Sequence, residues 1–572
     1  MDASKKTISD VLNGNRILKI PFFQRSYVWE EKQWERFLDD MEMVSITKKN
    51  YFMGSIILKQ EQAPSSTKVG DIRQIVDGQQ RLTTISIFFK CICQKTNKES
   101  VFERFFLLLD KSVAIEHNYN DYLSFEKIMK KIDTHLFPKP KNQIESLYNY
   151  IIQQDLTRFD IQAILNHIIF VGIDLFYDED EQKIFDTINS LGVKLTTPEL
   201  LKNYFFNKSN VDLFHSHWKN IFEKDEESRN YWDTEVTSGS RQRSYLEIFF
   251  YSVLQIMIQT PDFAVSSADK IQYARVEELF NSYKDFIAKY LNNNKIQMLD
   301  TLKKYYEVFI VIFDDKWESK HIERNDYVAR INNIVFGLDT ASIIPYLLYI
   351  SYENINNPIE NLYPIFAVIE SYLMRRMVTK YGTKSYNGFF NGTLINNRIN
   401  TEIKLKEFLI KERETSTLFP SLEEMENGFL NSKLTNKQAA GVLYLIESQT
   451  RQIGQSTQLK PFNQYQLEHL MPKKWQQYWN TTPLNENQIE KRNSCLLTLG
   501  NLAIISEPLN KSILNKDWKT KKEGNKDNKG LLLLSGGIET LAKYLTFESW
   551  DERTITIRAK DLFNLSAKIW SF

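Results

Sequence analysis

Glu468 and His469 adjoin at the end of a β-like run, Asn501 follows His469 by 32 residues at the head of another, and Asn510 comes nine residues later where a helical pattern starts. Hydrolysis of a phosphodiester needs a base to activate water and a hard divalent cation to offset charge on the leaving oxygen. A neutral histidine supplies the first, while carboxylate and amide oxygens suit Mg²⁺ or Mn²⁺. The spacing therefore assigns His469 as the base and Glu468 and Asn510 as metal ligands, with Asn501 holding the loop around His469. Between Lys511 and Lys529 seven lysines stand against three carboxylates, and Lys511, Lys516, Lys519 and Lys522 are the expected contacts to nucleic-acid phosphates. The other six histidines are scattered; His215 and His217, two apart in a helical stretch, do not face one ligand.

A second set lies near the N-terminus, in Ile20 to Trp29 (IPFFQRSYVW) and Ile75 to Thr84 (IVDGQQRLTT). A β-branched run ends in Asp77-Gly78, and Leu82, Ile85, Phe89 and Ile92 then mark a helix. A helix opened by such a turn aims unpaired N–H groups at one point and attracts an anion. Arg81 falls in its first turn, and Arg25 offers a second guanidinium fork to phosphate oxygens. Asp77 either caps the helix or holds a metal-bound water. The plainer alternative makes Asp77 a cap and pairs both arginines with surface carboxylates. No GxxxxGK[ST] occurs, so a nucleotide here would not sit in a P-loop.

The elements that position these residues fall into three textures. Residues 1–95 alternate β-like runs (17–20, 51–58, 73–76) with helical patterns, and Trp34, Phe37, Leu38, Met41 and Val44 form an apolar stripe to cover a sheet. Residues 96–455 read as a long α-helical body, with loop or linker texture at 60–69, 426–436 and 447–458. Residues 456–572 return to short β-like runs (465–470, 495–499, 502–506) and a Lys-rich helix, a strand–strand–helix plan. The fold class is thus α+β and multidomain. With 572 residues, 42% hydrophobic and 25% charged, fibrous and wholly disordered classes are excluded. Lys+Arg 73 against Asp+Glu 72 leaves no global field to draw nucleic acid, so any basic surface is local. Three cysteines without a CxxC pair build neither a disulfide framework nor a zinc site and point to a reducing cytoplasm. MDASKKTISD carries no apolar leader, and the run 334–352, broken by Asp339 and Pro345, reads as a buried helix pair rather than a membrane span.

The two N-terminal stretches closely resemble the N-terminal domain of GmrSD-type, modification-dependent restriction enzymes, whose fold is similar to ParB and sulfiredoxin nucleotide-binding domains. Ile184 to Thr196 (IFDTINSLGVKLT), Leu200 to Asn203 and Ser371 to Arg376 (SYLMRR) extend the resemblance. It implies nucleotide binding and NTPase activity at Asp77, Gly78, Gln79, Gln80 and Arg81, with Gln24 and Arg25 as pocket partners; Asn189 and Gly192 receive no catalytic role. The region from Lys460 resembles the C-terminal HNH (His-Me finger, ββα-metal) domain of the same enzymes, with Glu468 where many carry Asp and Asn510 where many carry His. The expectation is a cytoplasmic, NTP-responsive, divalent-metal-dependent endonuclease that restricts modified phage DNA. Its partners are double-stranded DNA and a nucleoside triphosphate, without a membrane, and homodimerisation is left open. A nucleotide-dependent DNA sensor with an inactive HNH domain, or an RNA-cleaving toxin, are the other readings.

Overall fold

The computed structural model describes residues 2–572 except 14–15, 23, 62–70, 178–195, 240, 451–458, 478, 480–482, 514, 526–528 and 535–537. Most of the loop expected at 60–69, the stretch Ile184 to Leu195 with Asn189 and Gly192, the second half of the linker expected at 447–458, and Lys526 lie outside the described residues. The chain divides into two compact units, Met1–Trp218 and Lys219–Phe572, and is mixed α+β. These limits differ from the expected boundaries near 95 and 455, for reasons visible in each unit.

In the first unit six strands form one mixed sheet: β1 (Asp2–Thr7), β2 (Ile17–Lys19), β3 (Tyr51–Gln60), β4 (Ile72–Asp77), β5 (Ile115–Glu116) and β6 (Ile168–Leu175), in the order β1-β6-β3-β4-β2-β5. β6 lies between β1 and β3, antiparallel to the first and parallel to the second, so the unit cannot close before residue 175. The expected N-terminal strands fall where β2, β3 and β4 are found. Helix α1 (Ile8–Val11) opens on a Thr7–Asp10 capping box. Helix α2 (Glu31–Thr47) opens on a Glu30–Gln33 capping box and buries Trp34, Phe37, Leu38, Met41 and Val44, the stripe its spacing predicts. Helix α3 (Gln79–Lys95) is buried almost all round, with Leu82, Ile85, Phe88, Phe89 and Ile92 in the core beneath the sheet. Cys91 and Cys93 are buried free thiols.

The second unit is mostly helical, with a hairpin β7 (Glu235–Ser238) and β8 (Arg241–Ser244) and a two-stranded antiparallel sheet of β9 (Tyr465–His469) and β10 (Leu502–Ser506). The run 495–499, expected as a strand, is instead the end of the helix Glu486–Cys495 and the turn after it. The linker expected at 426–436 is largely the helix Leu422–Asn431, and the one expected from 447 begins inside the helix Asn436–Thr450. The C-terminal helix Glu552–Ile569 is knitted into this body. Buried Arg558 donates to the carbonyls of Leu499, Gly500 and Leu502 at 3.2, 3.0 and 2.6 Å, and Trp570 Nε1 donates to Glu370 Oε1 at 2.7 Å. Buried Glu447 accepts from the Glu539 and Thr540 N–H groups at 2.7 and 3.0 Å. The contacts of Glu370 and Glu447 join residues on either side of 455. In the SYLMRR stretch Arg375 donates to Trp570 O and Pro420 O, which makes it an anchor of the C-terminus. Among the described residues no helix is long and apolar enough to cross a membrane.

Candidate functional sites

In the first unit Asp77 is the last residue of β4, and Gly78 turns the chain at φ +98°, a conformation that favours glycine, before α3 begins at Gln79. No side chain caps α3, so Asp77 is not the N-cap. Its carboxylate Oδ2 instead accepts from Arg81 Nη2 and from Ser55 Oγ, each at 2.9 Å. Arg81 Nη2 also donates to Ser55 O at 2.6 Å, and a Cβ on Gly54 (φ +117°) would stand 3.0 Å from Arg81 Nη1. Gly54 therefore makes room for the guanidinium. Asp77 and Arg81 face a pocket of 590 Å³ whose other walls include Trp29, Gln33, Arg36 and Phe52.

The remaining expected residues gather behind that turn. Gln79 Nε2 reaches Arg25 O at 3.4 Å, Gln80 Oε1 accepts from Val28 N at 3.0 Å, and Gln24 Oε1 accepts from Asn203 Nδ2 at 2.7 Å. So the set splits: Asp77 and Arg81 line the pocket, Gln79 and Gln80 tie the 25–28 segment to the start of α3, and Gln24 is held by Asn203 of the helix Thr197–Phe205. Arg25 Nε, Gln79 Oε1 and Arg81 Nε are buried with no hydrogen-bond partner. Buried polar atoms seldom go unpaired, so three orphans around one helix start single out this region as the candidate site of the first unit. Sequence reasoning missed the support beneath. Asn118 Nδ2 donates to Arg25 O at 3.0 Å, and Asp121 Oδ2 accepts from Tyr27 N at 2.6 Å. Both contacts span more than ninety residues and leave no local signature.

In the second unit β9 pairs antiparallel with β10, Leu502 opposite His469, and the helix Glu507–Ile513 follows, so strand, strand and helix stand in the expected order. Asn501 is fully buried. Its Oδ1 accepts from Met471 N at 2.8 Å and Trp550 Nε1 at 3.0 Å, and its Nδ2 donates to Met471 O and Leu496 O at 2.8 and 2.9 Å. This side chain pins the turn that follows His469. His469 Nε2 is buried without a partner, and burial, with Lys473 and Lys521 adding repulsion, holds its imidazole down to about 4, hence neutral at pH 7.

Alternation along β9 puts Gln466 and Glu468 on one face and His469 on the other. Asn510 Nδ2 donates to Gln466 Oε1 at 3.0 Å, so Asn510 meets the Glu468 face. The Glu468 carboxylate, however, is engaged by the ammonium of Lys521, which also donates to His469 O at 2.9 Å. Burial pushes Glu468 up and Lys521 down, each toward neutrality, and their mutual attraction opposes it. Glu468 as it stands does not fit a divalent cation, because an ammonium already neutralises it. Among the described residues no group of three His, Cys, Asp or Glu side chains could hold a metal.

The lysines do not form one basic face. Lys521 points inward; Lys522 Nζ donates to Phe547 O at 3.2 Å and Lys516 Nζ to Ser512 O at 3.3 Å. Lys511 pairs with Glu507, while Lys519 is exposed.

Two family models match the chain, and both describe restriction endonucleases. Residues 8–206 match the GmrSD restriction endonuclease N-terminal domain and residues 419–565 the GmrSD restriction endonuclease C-terminal domain. The chain belongs to the GmrSD family, and the class of its activity is restriction by DNA endonuclease cleavage. The matched stretches contain both sites described above and also the helix Leu422–Asn431. A search of the curated proteins gave no match.

Proposed function

We propose that the second unit cleaves DNA at an HNH-type site with His469 as general base, and that a nucleoside triphosphate at the Asp77–Arg81 turn of the ParB/sulfiredoxin-like first unit governs that cleavage on modified phage DNA. One observation carries the nuclease reading: an imidazole kept neutral by burial, with Nε2 unpartnered, at the end of a strand whose following turn is pinned by Asn501. A neutral imidazole accepts the proton of the attacking water at Nε2, and the pinned turn keeps that atom in place when DNA binds. The chemistry of the resemblance adds Mg²⁺ or Mn²⁺, which polarises the phosphate when bound. Glu468 has no part in holding it, and no step of the reading runs through the ion.

The test is His469→Ala in the full chain. Cleavage of phage DNA is expected to fall by about 10²–10⁴-fold, the usual contribution of a positioned base, with unfolding unchanged. Wild-type cleavage by this variant overturns the assignment. Requirement for the ion is read in the same assay with EDTA followed by Mn²⁺.

A further inference from the structure

Among the described lysines of its run Lys521 alone is out of reach of solvent: its side chain is 0% exposed, and the partnered Glu468 side chain is 11% exposed. A lysine is almost never buried this deeply unless it is paired, and the pair here is minimal, one carboxylate and one backbone carbonyl. That carbonyl belongs to His469. The ammonium thus ties together the last two residues of β9, while Asn501 holds the residues after them. Lys521 sits in the helix Trp518–Glu523, whose start is capped by Asp517 through Thr520 N at 3.0 Å and whose Trp518 Nε1 donates to Phe547 O at 3.0 Å. The lysine is therefore delivered by an element fixed at both its cap and its apolar face.

We infer that Lys521 and Glu468 are positioning residues for His469, joined as a buried ion pair that takes the place a cation would need at Glu468, so that Glu468 is not a metal ligand. The inference rests on the reading of His469 as the base. A lysine with no exposed surface cannot reach DNA phosphates, so its loss acts on the imidazole's placement and not on substrate binding. Displacing a catalytic group by about an ångström costs on the order of 10²-fold in rate.

Five variants of the full chain test this. In Lys521→Met, kcat for DNA cleavage is expected to fall about 10²-fold while KM for DNA stays unchanged; a raised KM with kcat intact overturns the inference. Unfolding of Glu468→Leu, Lys521→Met and the double variant tests the pair itself. Each single leaves one charge buried alone, whereas the double leaves none, so the double is expected to be no less stable than the worse single. Destabilisation equal to the sum of the two singles overturns the pair. Should Lys521→Met not fold, the double variant decides: it is expected to fold, and its failure to do so counts against the pair. Calorimetric titration with Mn²⁺ of the wild type and Glu468→Gln gives a readout apart from activity. Equal binding, including none in either, is expected; weakening by roughly tenfold or more, which even the loss of an outer-shell partner produces, overturns the inference. His469→Ala separates the two levels. If it cleaves normally the nuclease reading falls; if it is inactive and Glu468→Gln loses Mn²⁺ affinity, the ion-pair inference alone falls.

Discussion

Arg81 is half spent. Its Nη2 serves Asp77 and Ser55, while Nε is buried with no partner, so the fork retains donors for an anion brought into the pocket. Arg81→Ala is expected to weaken triphosphate binding by about 1.5–3 kcal/mol, roughly 10–150-fold, as loss of a hydrogen bond to a charged group does. Arg81→Lys is expected to recover little, since an ammonium cannot reproduce the fork. Titration calorimetry with each NTP measures both, and unchanged affinity in Arg81→Ala would leave the Asp77–Arg81 contact as a brace of the turn. His469 gives a prediction in pH. An imidazole held to about 4 stays in its base form well below the free value of about 6.5, so the acid limb of kcat/KM is expected far under 6.5. An acid limb centred near 6.5 would show that the base is not this buried histidine. The same shift has a stability side. The folded state binds fewer protons than the unfolded one, so this contribution is complete above about 6.5 and is lost as pH falls toward the folded value. His117, held to about 3 by burial, adds to it with the same sign. The profile must therefore be followed together with circular dichroism.

The elements that aim these residues depend on a few close approaches. A Cβ at Gly500 would lie 2.2 Å from Ile555 O and 3.0 Å from Ala559 Cβ, so the turn before β10 touches the helix Glu552–Ile569 backbone to backbone. Gly500→Ala is expected to force them apart at a cost of about 1–3 kcal/mol, seen as a lower urea midpoint, and to slow cleavage because neighbouring Asn501 moves with it. A wild-type midpoint would mean that the helix yields freely. Much at this scale was legible in the sequence. The α2 stripe follows helical period, the Asp-Gly turn declares the end of β4, β9 alternates polar and apolar residues, and β10 is a short apolar run. Elsewhere the local signal misleads. The run 495–499 is apolar and short, which suits a strand or a helix end equally, and packing decided for the latter. The helix Leu422–Asn431 reads as a linker because it buries only Met425, Gly428 and Phe429. β6 lies within a stretch of helical texture and finds its place only through partners over a hundred residues away. Lys521 is indistinguishable from its solvent-facing neighbours until the helix is laid against β9, so its pairing with Glu468 leaves no signal in the sequence.

At the level of the whole molecule, two units each carry a site, and the net charge of +1 supplies no long-range attraction to DNA. Exposed Lys519 and the partly satisfied Lys511, Lys516 and Lys522 are the candidates for local phosphate contacts, and such contacts read no sequence and no mark. A nuclease with only such contacts would cut any duplex it met, its host's included, so discrimination has to come from outside the His469 site. The first unit offers the other candidate site, with a pocket, a guanidinium and buried polar atoms that have no hydrogen-bond partner. We therefore expect coupling: Asp77→Ala or Arg81→Ala changes the cleavage rate although neither residue belongs to the second unit. The comparison belongs in the full chain. A fragment starting near Lys460 would lose the helix Asn436–Thr450, whose Glu447 caps the backbone at Glu539 and Thr540, and its inactivity would report misfolding rather than regulation. Coupling free energies of about 1–3 kcal/mol correspond to shifts of roughly 5–150-fold, and linkage makes binding reciprocal: if a nucleotide tightens DNA binding, DNA tightens nucleotide binding by the same factor. The measurement sets wild type against both variants on modified and unmodified phage DNA, with and without each NTP, and adds nucleotide titrations in the presence of a modified duplex. Equal rates for all three proteins on both DNAs, unmoved by nucleotide, would mean that the first unit does not govern cleavage.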